Sequence, residues 1–161
     1  MNKIALITGG SRGLGRNMAI AIAKKGIDVV FTYNSNKKAA DEVLAEIQST
    51  GQQAFAFQLD TSNISSFDAF LTRMSEELPA RTGQSKFDFL INNAGTALYA
   101  LAADTTEEQL DSIFNIHYKG VFFLTQKALP FMNDGGAIIN ISSGLTRITM
   151  PGSSVYGSIK T

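Results

Sequence analysis

A tyrosine and a lysine near the end of the sequence are spaced for shared chemistry. Tyr156 and Lys160 are four residues apart, and this spacing places both side chains on one face of a helix. A free tyrosine has a pKa of about 10 and is a poor acid or base near neutral pH. A lysine ammonium ~4–6 Å away favours the phenolate, which would bring the phenol towards general acid–base work. Taken alone, the same pair is more often an exposed tyrosine and a solvated lysine.

A glycine-rich turn lies near the other end of the sequence and reads Thr8-Gly-Gly-Ser-Arg-Gly-Leu-Gly15. Gly9, Gly13 and Gly15 permit a tight turn whose backbone N–H groups can approach a phosphate without interference from Cβ atoms. The helix that follows adds roughly half a positive charge at its N-terminus. Glycine clusters are often no more than turns, but the position between an apolar strand and a helix predicts a dinucleotide site.

Apolar runs alternate with helical patterns along the whole sequence. The runs predict five strands, at residues 4–7, 29–31, 54–57, 87–91 and 137–141. Helical patterns follow the first four strands, and the long one after the fourth begins at a capping box formed by Thr105 and Glu108. Asn133 to Gly136 is predicted to be a turn, and a last helix begins near Ser154.

This alternation predicts the α/β class, with a doubly wound parallel sheet between two layers of helices. We expect one domain over residues 1–161, because no linker, repeat or low-complexity tract interrupts the pattern. Ligands of such sheets bind beyond the carboxyl ends of the strands. The turns that follow each strand are therefore the places where functional side chains are expected.

Composition excludes several classes of function. Of the 161 residues, 44% are hydrophobic and 17% charged, which is typical of a folded domain. There is no cysteine, and His117 is the one histidine, so disulfides and multi-histidine metal sites are excluded. Zero net charge is poor composition for a nucleic-acid binder, and no apolar run is long enough for a transmembrane helix. We interpret His117 as a packed or partly exposed histidine and expect a cytoplasmic protein.

Several motifs together resemble the short-chain dehydrogenase/reductase family. The spacing T-G-x-x-x-G-x-G of Thr8–Gly15 is the glycine turn of that family. The further matches are Asp60 after the third predicted strand, Asn92-Asn93-Ala94-Gly95 after the fourth, Asn115 in the long helix, Ser143 after the fifth strand, and the Y-x-x-x-K of Tyr156 and Lys160. The resemblance spans all 161 residues and implies an NAD(P)-binding Rossmann fold.

The resemblance implies a catalytic role for four residues. Tyr156 would donate a proton to a carbonyl oxygen in reduction and accept it in oxidation, and Ser143 would hydrogen-bond to that oxygen. Lys160 would bind the nicotinamide ribose and lower the pKa of Tyr156. Asn115 would hold a water that links Lys160 to solvent. Without the resemblance, Asn115 would be interpreted as a hydrogen-bonded core residue, and Gly120 nearby as a residue that permits close packing.

The resemblance also implies a cofactor cleft, in which Asp60 would meet the adenine. Asn92 to Gly95 would line this cleft and steady the sheet, although the same residues would also suit a plain turn after a strand. The predicted cofactor-binding residues are Gly9, Ser11, Arg12, Gly13, Leu14, Gly15, Asn34, Ser35, Asp60, Asn92, Ala94, Gly95, Tyr156 and Lys160.

The residues after the second strand predict a preference for NADP(H) over NAD(H). Family members that bind NAD place an acidic side chain there to hold the adenosine ribose, but no carboxylate occurs before Asp41. Nothing then repels a 2′-phosphate, which Asn34, Ser35 and Arg12 can reach. The first 40 residues carry seven basic residues and one acidic one. That surplus either attracts a phosphate or, as for Lys37–Lys38, belongs to solvated helix surfaces.

These features predict an oxidoreductase that transfers a hydride between NADP(H) and a carbonyl or secondary alcohol. Similarity to 3-oxoacyl-[acyl-carrier-protein] reductases makes a ketone or an acyl-chain carbonyl the leading substrate, while a sugar or steroid alcohol stays open. Leu98, Tyr99 and Leu101 would touch an apolar substrate or pack beneath a lid. The expected partners are a small-molecule substrate and further copies of the chain in a dimer or tetramer, with no nucleic acid and no membrane.

Family members have a longer chain and a seven-stranded sheet. We therefore expect this sequence to lack the last two strands and the substrate loop, which leaves residues 137–141 as an uncovered edge. Lys160 would then lie near a frayed helix end, and the chain by itself would be poorly stable and nearly inactive. The alternative to an enzyme is a non-catalytic protein that binds NADP through its N-terminal half.

Overall fold

A computed structural model describes all residues from 1 to 161. Five parallel strands form one sheet in the order β3-β2-β1-β4-β5. The strands are β1 (Ile4–Ile7), β2 (Asp28–Tyr33), β3 (Ala54–Gln58), β4 (Phe87–Asn92) and β5 (Met132–Asn140). The helices are α1 (Gly13–Ala23), α2 (Lys37–Gln48), α3 (Phe67–Glu77), α4 (Pro79–Thr82), α5 (Glu107–Phe114), α6 (Val121–Ala128) and α7 (Ser154–Lys160).

Helices cover both faces of the sheet, which confirms the predicted α/β class. Side chains alternate between the faces of a strand, so Ile4 and Leu6 of β1 join one core while Ala5 and Ile7 join the other. The first core contains residues of α3 and α6, and the second contains residues of α1 and α2. The chain is therefore arranged in three layers, with β1 fully buried at the centre of the sheet.

The strand order changes direction at β1, because β2 and β3 lie on one side of it and β4 and β5 on the other. Two crossovers leave β1 and its neighbour β4 in opposite directions at this point. A crevice opens between their carboxyl ends, where open α/β sheets bind ligands. The glycine turn after β1 and the Asn92–Gly95 segment after β4 both lie at this crevice.

The predicted turn at Asn133 to Gly136 is wrong, since these residues lie inside β5. Phe87 of β4 pairs with Met132 and Phe89 pairs with Ala137, so β5 inserts extra residues as a bulge. Gly135 has φ +78°, and a Cβ on Gly136 would lie 2.3 Å from the Asp88 carbonyl oxygen. The glycines that suggested a turn instead allow a bulged strand to stay against β4. The expected edge is present, with Ile138 and Ile139 about half exposed.

The capping box of α5 lies one residue later than predicted. Thr106 Oγ1 accepts from the Gln109 backbone N–H, and the Gln109 side chain accepts from the Thr106 backbone N–H. Thr105 instead donates its hydroxyl to the Leu101 carbonyl. The run Thr-Thr-Glu-Glu-Gln contains two overlapping capping patterns, and only the three-dimensional path into the helix selects the second.

A π-helical turn, Asn115–Gly120, joins α5 to α6. The long predicted helix is therefore continuous but widened at its middle, a distortion often found at functional sites. Gly120 at the end of this turn is buried, and a Cβ there would lie 2.1 Å from the Thr61 carbonyl oxygen. The interpretation that Gly120 permits close packing is confirmed.

Replacing Gly120 with alanine should destabilise the protein. The added methyl overlaps the Thr61 backbone, and overpacking of this kind costs about 1–3 kcal/mol. The matched control is Gly144→Ala, because nothing lies within 4 Å of a Cβ at Gly144; its effect should stay within about 0.5 kcal/mol. Urea denaturation of both variants measures the difference, and equal midpoints would show that the π turn tolerates a side chain here.

Candidate cofactor-binding and catalytic site

A cavity of about 560 Å³ lies at the carboxyl ends of β1, β2 and β4. Ten of its lining residues are ones predicted to bind a cofactor, namely Gly9, Ser11, Arg12, Gly13, Leu14, Gly15, Asn34, Asp60, Ala94 and Gly95. Its other lining residues are Thr32, Leu59, Thr61, Asn93, Thr96 and Ile116. Most of these six are sequence neighbours of predicted residues, so widening each motif by one residue would have found them.

The glycine turn shapes one wall of this cavity. Gly9 and Gly13 have φ +69° and +54°, the left-handed region that favours glycine. A Cβ on Gly15 would lie 2.2 Å from the Gly9 carbonyl oxygen, so the turn closes only with glycine at that position. Helix α1 begins at Gly13 with no side-chain cap and no acidic residue in its first turn. Its free N–H groups and dipole therefore suit a phosphate.

Two side chains lock the turn after β1 to the turn after β4. Thr8 Oγ1 accepts from the backbone N–H groups of Asn93 and Ala94 at 3.0 and 2.9 Å. In return, Asn93 Nδ2 donates to the carbonyl oxygens of Thr8 and Gly9 at 2.9 and 3.2 Å. Thr8 is buried. These four hydrogen bonds fix the positions of the two cavity walls relative to each other.

Four predicted cofactor residues do not line the cavity, namely Asn92, Ser35, Tyr156 and Lys160. Asn92 is buried, and its Nδ2 donates to Thr125 Oγ1 and Asn140 Oδ1 at 3.0 and 2.8 Å. It therefore steadies β4 against β5 and α6 and does not line the cleft. Ser35 is exposed and is absent from the cavity wall, although its neighbour Asn34 lines it. Asn92 faces away from the cavity because successive side chains of a strand point to opposite faces of the sheet.

Asp60 lies on the rim of the cavity and is exposed. Its Oδ1 accepts from the backbone N–H and the hydroxyl of Ser62 at 2.9 and 2.7 Å. The carboxylate thus closes the turn after β3. The hydrogen bonds within the chain use only Oδ1 of its two carboxylate oxygens.

Tyr156 and Lys160 lie on α7, both half-buried. Neither lines the cavity wall directly. Lys160 Nζ donates to the Ile141 carbonyl oxygen, and burial lowers the pKa of Lys160 from its ordinary value. No carboxylate forms an ion pair with this lysine. No acidic side chain therefore neutralises its charge.

Ser143 lies just after β5 and caps a short 3₁₀ turn, Gly144–Thr146. Its Oγ accepts from the Leu145 backbone N–H at 3.2 Å. Because a hydroxyl has one proton to donate, that bond fixes the oxygen and leaves its O–H free for another acceptor. The serine is thus suited to hydrogen-bond to a substrate oxygen.

The π turn brings His117 into contact with Tyr156. The two rings lie edge to face, with centroids 5.3 Å apart and planes at 87°. Asn115, for which the resemblance implied a water linked to Lys160, lies two residues earlier in the same π turn and is half-buried; that role stays a prediction. A π turn rotates the residues that follow it relative to an α-helix, and the sequence carries no signal for that rotation.

His117 is 8% exposed and is thus packed. Its Nε2 lies 2.7 Å from the Thr96 carbonyl oxygen. Burial lowers the pKa of His117, the bond to Thr96 opposes that shift, and the charge of Lys160 lowers the pKa further. No group of three His, Cys, Asp or Glu residues is close enough to hold a metal ion. His117 therefore joins the cavity wall at Thr96 to the helix that carries Tyr156.

A family model described as short chain dehydrogenase matches residues 3–161. The chain belongs to the short-chain dehydrogenase family. An uncharacterized oxidoreductase from Methylorubrum extorquens is 37% identical over 158 residues, which are 98% of this chain and 61% of that protein. A hydroxynaphthalene reductase-like protein from Metarhizium brunneum is 33% identical over 159 residues, 98% of this chain and 57% of the relative.

Solved structures of short-chain dehydrogenases share this fold. The angucycline C-6 ketoreductase LanV, crystallised with bound NADP, superposes with a TM-score of 0.93 at 37% identity, over 98% of this chain and 62% of that one. The chain thus spans about 60% of the length of these three proteins. No helix of this short-chain dehydrogenase is long and apolar enough to span a bilayer.

Replacing Thr8 with valine should weaken the lock between the two turns. Valine has the shape of threonine but no hydroxyl, so the Asn93 and Ala94 N–H groups lose their acceptor. An unsatisfied buried donor costs about 1–3 kcal/mol, and we expect a loss of about 2 kcal/mol or more. Thr8→Ser keeps the hydroxyl and should lose less. Urea denaturation compares the two, and a serine variant as unstable as the valine variant would contradict the lock.

Proposed function

We propose that the protein is an NADP(H)-dependent carbonyl reductase in which Tyr156 is the acid–base group. The observation that supports this most directly is the contact chain from Thr96 on the cavity wall, through His117, to Tyr156. A dinucleotide with its phosphates at the glycine turn would extend along this wall. Its reactive end would then face the helix that carries Tyr156 and Lys160.

The cavity residues fit a dinucleotide phosphate. The glycine turn leaves a cradle that a Cβ at Gly15 would fill, and α1 presents free N–H groups there. The turn carries Arg12 and no carboxylate. When bound, NADPH would supply the hydride that reduces a carbonyl carbon.

The residues of α7 and the turn after β5 would handle the proton. Tyr156 donates its phenolic proton to the carbonyl oxygen as the alcohol forms, which leaves a phenolate. The half-buried Lys160 ammonium stabilises that negative charge, since burial weakens solvent screening. Ser143 donates its free O–H to the same substrate oxygen and orients it. The reaction is then the addition of one hydride and one proton to a C=O bond.

The substrate class that we propose is a ketone attached to an aromatic ring system. The names of two similar proteins favour it, one a hydroxynaphthalene reductase-like protein and the other an angucycline C-6 ketoreductase. These names do not favour the 3-oxoacyl thioester expected from the sequence. The test is a panel that contains an aromatic ring ketone and a 3-oxoacyl thioester, each offered with NADPH.

Replacing Tyr156 with phenylalanine should lower kcat for ketone-dependent NADPH oxidation by about 10²- to 10⁴-fold, the usual contribution of a general acid. NADPH binding, measured by fluorescence titration, should change little because Tyr156 is not in the wall of the cavity. The matched control is Tyr33→Phe, since Tyr33 lies at the end of β2 and outside the cavity wall. An unchanged kcat in Tyr156→Phe would contradict the proposed role of Tyr156 as the acid–base group. NADPH binding by the wild type without turnover of any ketone would favour the non-catalytic alternative.

We further propose that the protein prefers NADP(H) to NAD(H), with Arg12 as the residue that meets the 2′-phosphate. Arg12 lines the cavity beside Asn34, and no carboxylate follows β2 within the wall there. Lys37 is paired with Asp41 at 2.7 Å, away from the cavity. Solvated helix lysines therefore account for the Lys37–Lys38 pair better than phosphate binding does.

Replacing Arg12 with glutamine should weaken NADPH binding about tenfold or more, the usual worth of a hydrogen bond to a charged group. Binding of NADH should be nearly unchanged, because NADH has no 2′-phosphate. Lys38→Gln is the control and should leave both affinities as in the wild type. Fluorescence titrations with both cofactors measure this, and tighter binding of NADH than NADPH by the wild type would contradict the preference.

The self-association that we propose uses one stripe of the helix pair α5 and α6. Leu110, Phe114, Tyr118 and Phe122 recur every four residues across the π turn, and the rings of Phe114 and Tyr118 stack at 5.0 Å. Leu110, Tyr118 and Phe122 are about half exposed, and a second copy would bury this apolar stripe. Sedimentation should show a dimer or tetramer that Phe122→Glu weakens and Leu129→Glu does not. A 17.3 kDa monomer would contradict this.

A further inference from the structure

The His117 imidazole has one nitrogen that the site as described above does not use. Its Nε2 lies 2.7 Å from the Thr96 carbonyl oxygen and 3.3 Å from the Thr96 backbone nitrogen. The carbonyl oxygen can only accept and makes the shorter contact, so we assign the proton to Nε2. Nδ1 is then an unprotonated acceptor. It is buried, and no group of the chain donates to it. A buried acceptor without a donor is rare in folded proteins and points to a missing partner.

The imidazole is held in place from two sides. A Cβ on Gly95 would lie 2.4 Å from His117 Cε1, so only glycine at position 95 leaves room for the ring. On the other side, the ring lies edge to face with Tyr156. With Nε2 bound to Thr96 and the ring packed against Gly95 and Tyr156, the position of Nδ1 is fixed in the structure.

Lys160 has hydrogen-bond donors that lack acceptors. Its half-buried ammonium has three N–H donors, and one of them goes to the Ile141 carbonyl oxygen. It has no carboxylate partner. Lys160 is also near enough to His117 for its charge to act on the imidazole. The Lys160 ammonium on α7 therefore has N–H donors without acceptors, and His117 Nδ1 on the neighbouring π turn is an acceptor without a donor.

We propose that Nδ1 of His117 accepts a hydrogen bond from the Lys160 ammonium and thereby positions Lys160 beside Tyr156. In this arrangement the flexible lysine stem would turn Nζ from the Ile141 carbonyl oxygen towards Nδ1. His117 is thus the positioning residue that the π turn contributes, two residues after Asn115. This inference rests on the proposed role of Tyr156 and Lys160 in carbonyl reduction.

Two substitutions separate the two nitrogens. His117→Asn places an amide oxygen where Nδ1 stands and gives up the bond to Thr96, whereas His117→Gln keeps a donor for Thr96 and gives up the Nδ1 acceptor. If Nδ1 positions Lys160, His117→Gln should lower kcat about ten- to a hundred-fold, the usual worth of a hydrogen bond to a charged group. His117→Asn should lose less activity than His117→Gln, because its amide oxygen can still accept from Lys160. The reverse order would show that His117 serves only to pin Thr96, and would overturn the proposal.

The pH profile of the wild type gives a readout that needs no substitution. Burial and the Lys160 charge lower the pKa of His117 below its ordinary 6.5. Above that pKa Nδ1 is free to accept, and below it the proton removes the acceptor and adds a cation that repels Lys160. The kcat should therefore fall on the acid side, and His117→Asn should lack this acid limb. The ionisable groups that face His117 are Tyr156 and Lys160; Gly95 and Thr96 carry none, and α5 and α6 contribute no charge to the shift.

A second measurement is independent of turnover. His117 is the one histidine of the chain, so ¹⁵N labelling of histidine gives the resonances of this ring alone. We expect a protonated Nε2 and an unprotonated Nδ1 whose resonance moves in Lys160→Met and stays in the control Lys119→Met, an exposed lysine of the same π turn. A protonated Nδ1, or an unchanged resonance in Lys160→Met, would overturn the inference. If the protein turns over no ketone, the proposed function is wrong. The NMR measurement still tests the His117–Lys160 hydrogen bond in that case, because it does not depend on activity.

Discussion

The exchange of hydrogen bonds between Thr8 and the segment after β4 is the constraint on which the site depends. Parallel strands leave their terminal N–H and C=O groups unpaired at the sheet edge, and these groups need partners when buried. Thr8 and Asn93 supply those partners to each other's backbone. The glycine turn and the wall that carries Gly95 and Thr96 are thereby fixed at one separation. A ligand then meets a preformed cleft, which lowers the entropy cost of binding.

The π turn is the second constraint, and it connects this cleft to the helix that carries the acid–base pair. An ordinary α-helix through residues 115–120 would turn later side chains by a different angle, whereas the wider turn directs His117 onto Tyr156. Gly120 lets the turn lie against the Thr61 backbone, and Gly95 lets the imidazole lie against the wall. Two small residues far apart in sequence therefore make one contact chain possible.

Much of the site could be predicted from the sequence, because local chemistry limits the choices. Few residues can replace a glycine in the left-handed region, as at Gly9 and Gly13, so the phosphate turn can be predicted from residue types alone. The contacts of side chains after a strand are harder to predict. Asn92 and Asn93 are identical in type, yet one ties strands together and the other shapes the cleft. The two side chains differ because successive residues of a strand point to opposite faces of the sheet. Which of them faces the cleft depends on the exact residue at which β4 ends.

The sequence by itself determined the fold class, the strand–helix alternation, the glycine turn and the placement of Tyr156 and Lys160 on one helix. Each of these depends on the periodicity or conformational freedom of nearby residues. Only the tertiary structure decided that Asn133 to Gly136 extend β5 as a bulge and that the His117 ring packs against Tyr156. Both outcomes depend on groups distant in the chain, the β4 backbone in one case and the Thr61, Gly95 and Thr96 backbone in the other. Local patterns carry no record of such long-range packing, which selects among conformations that are nearly equal in local energy.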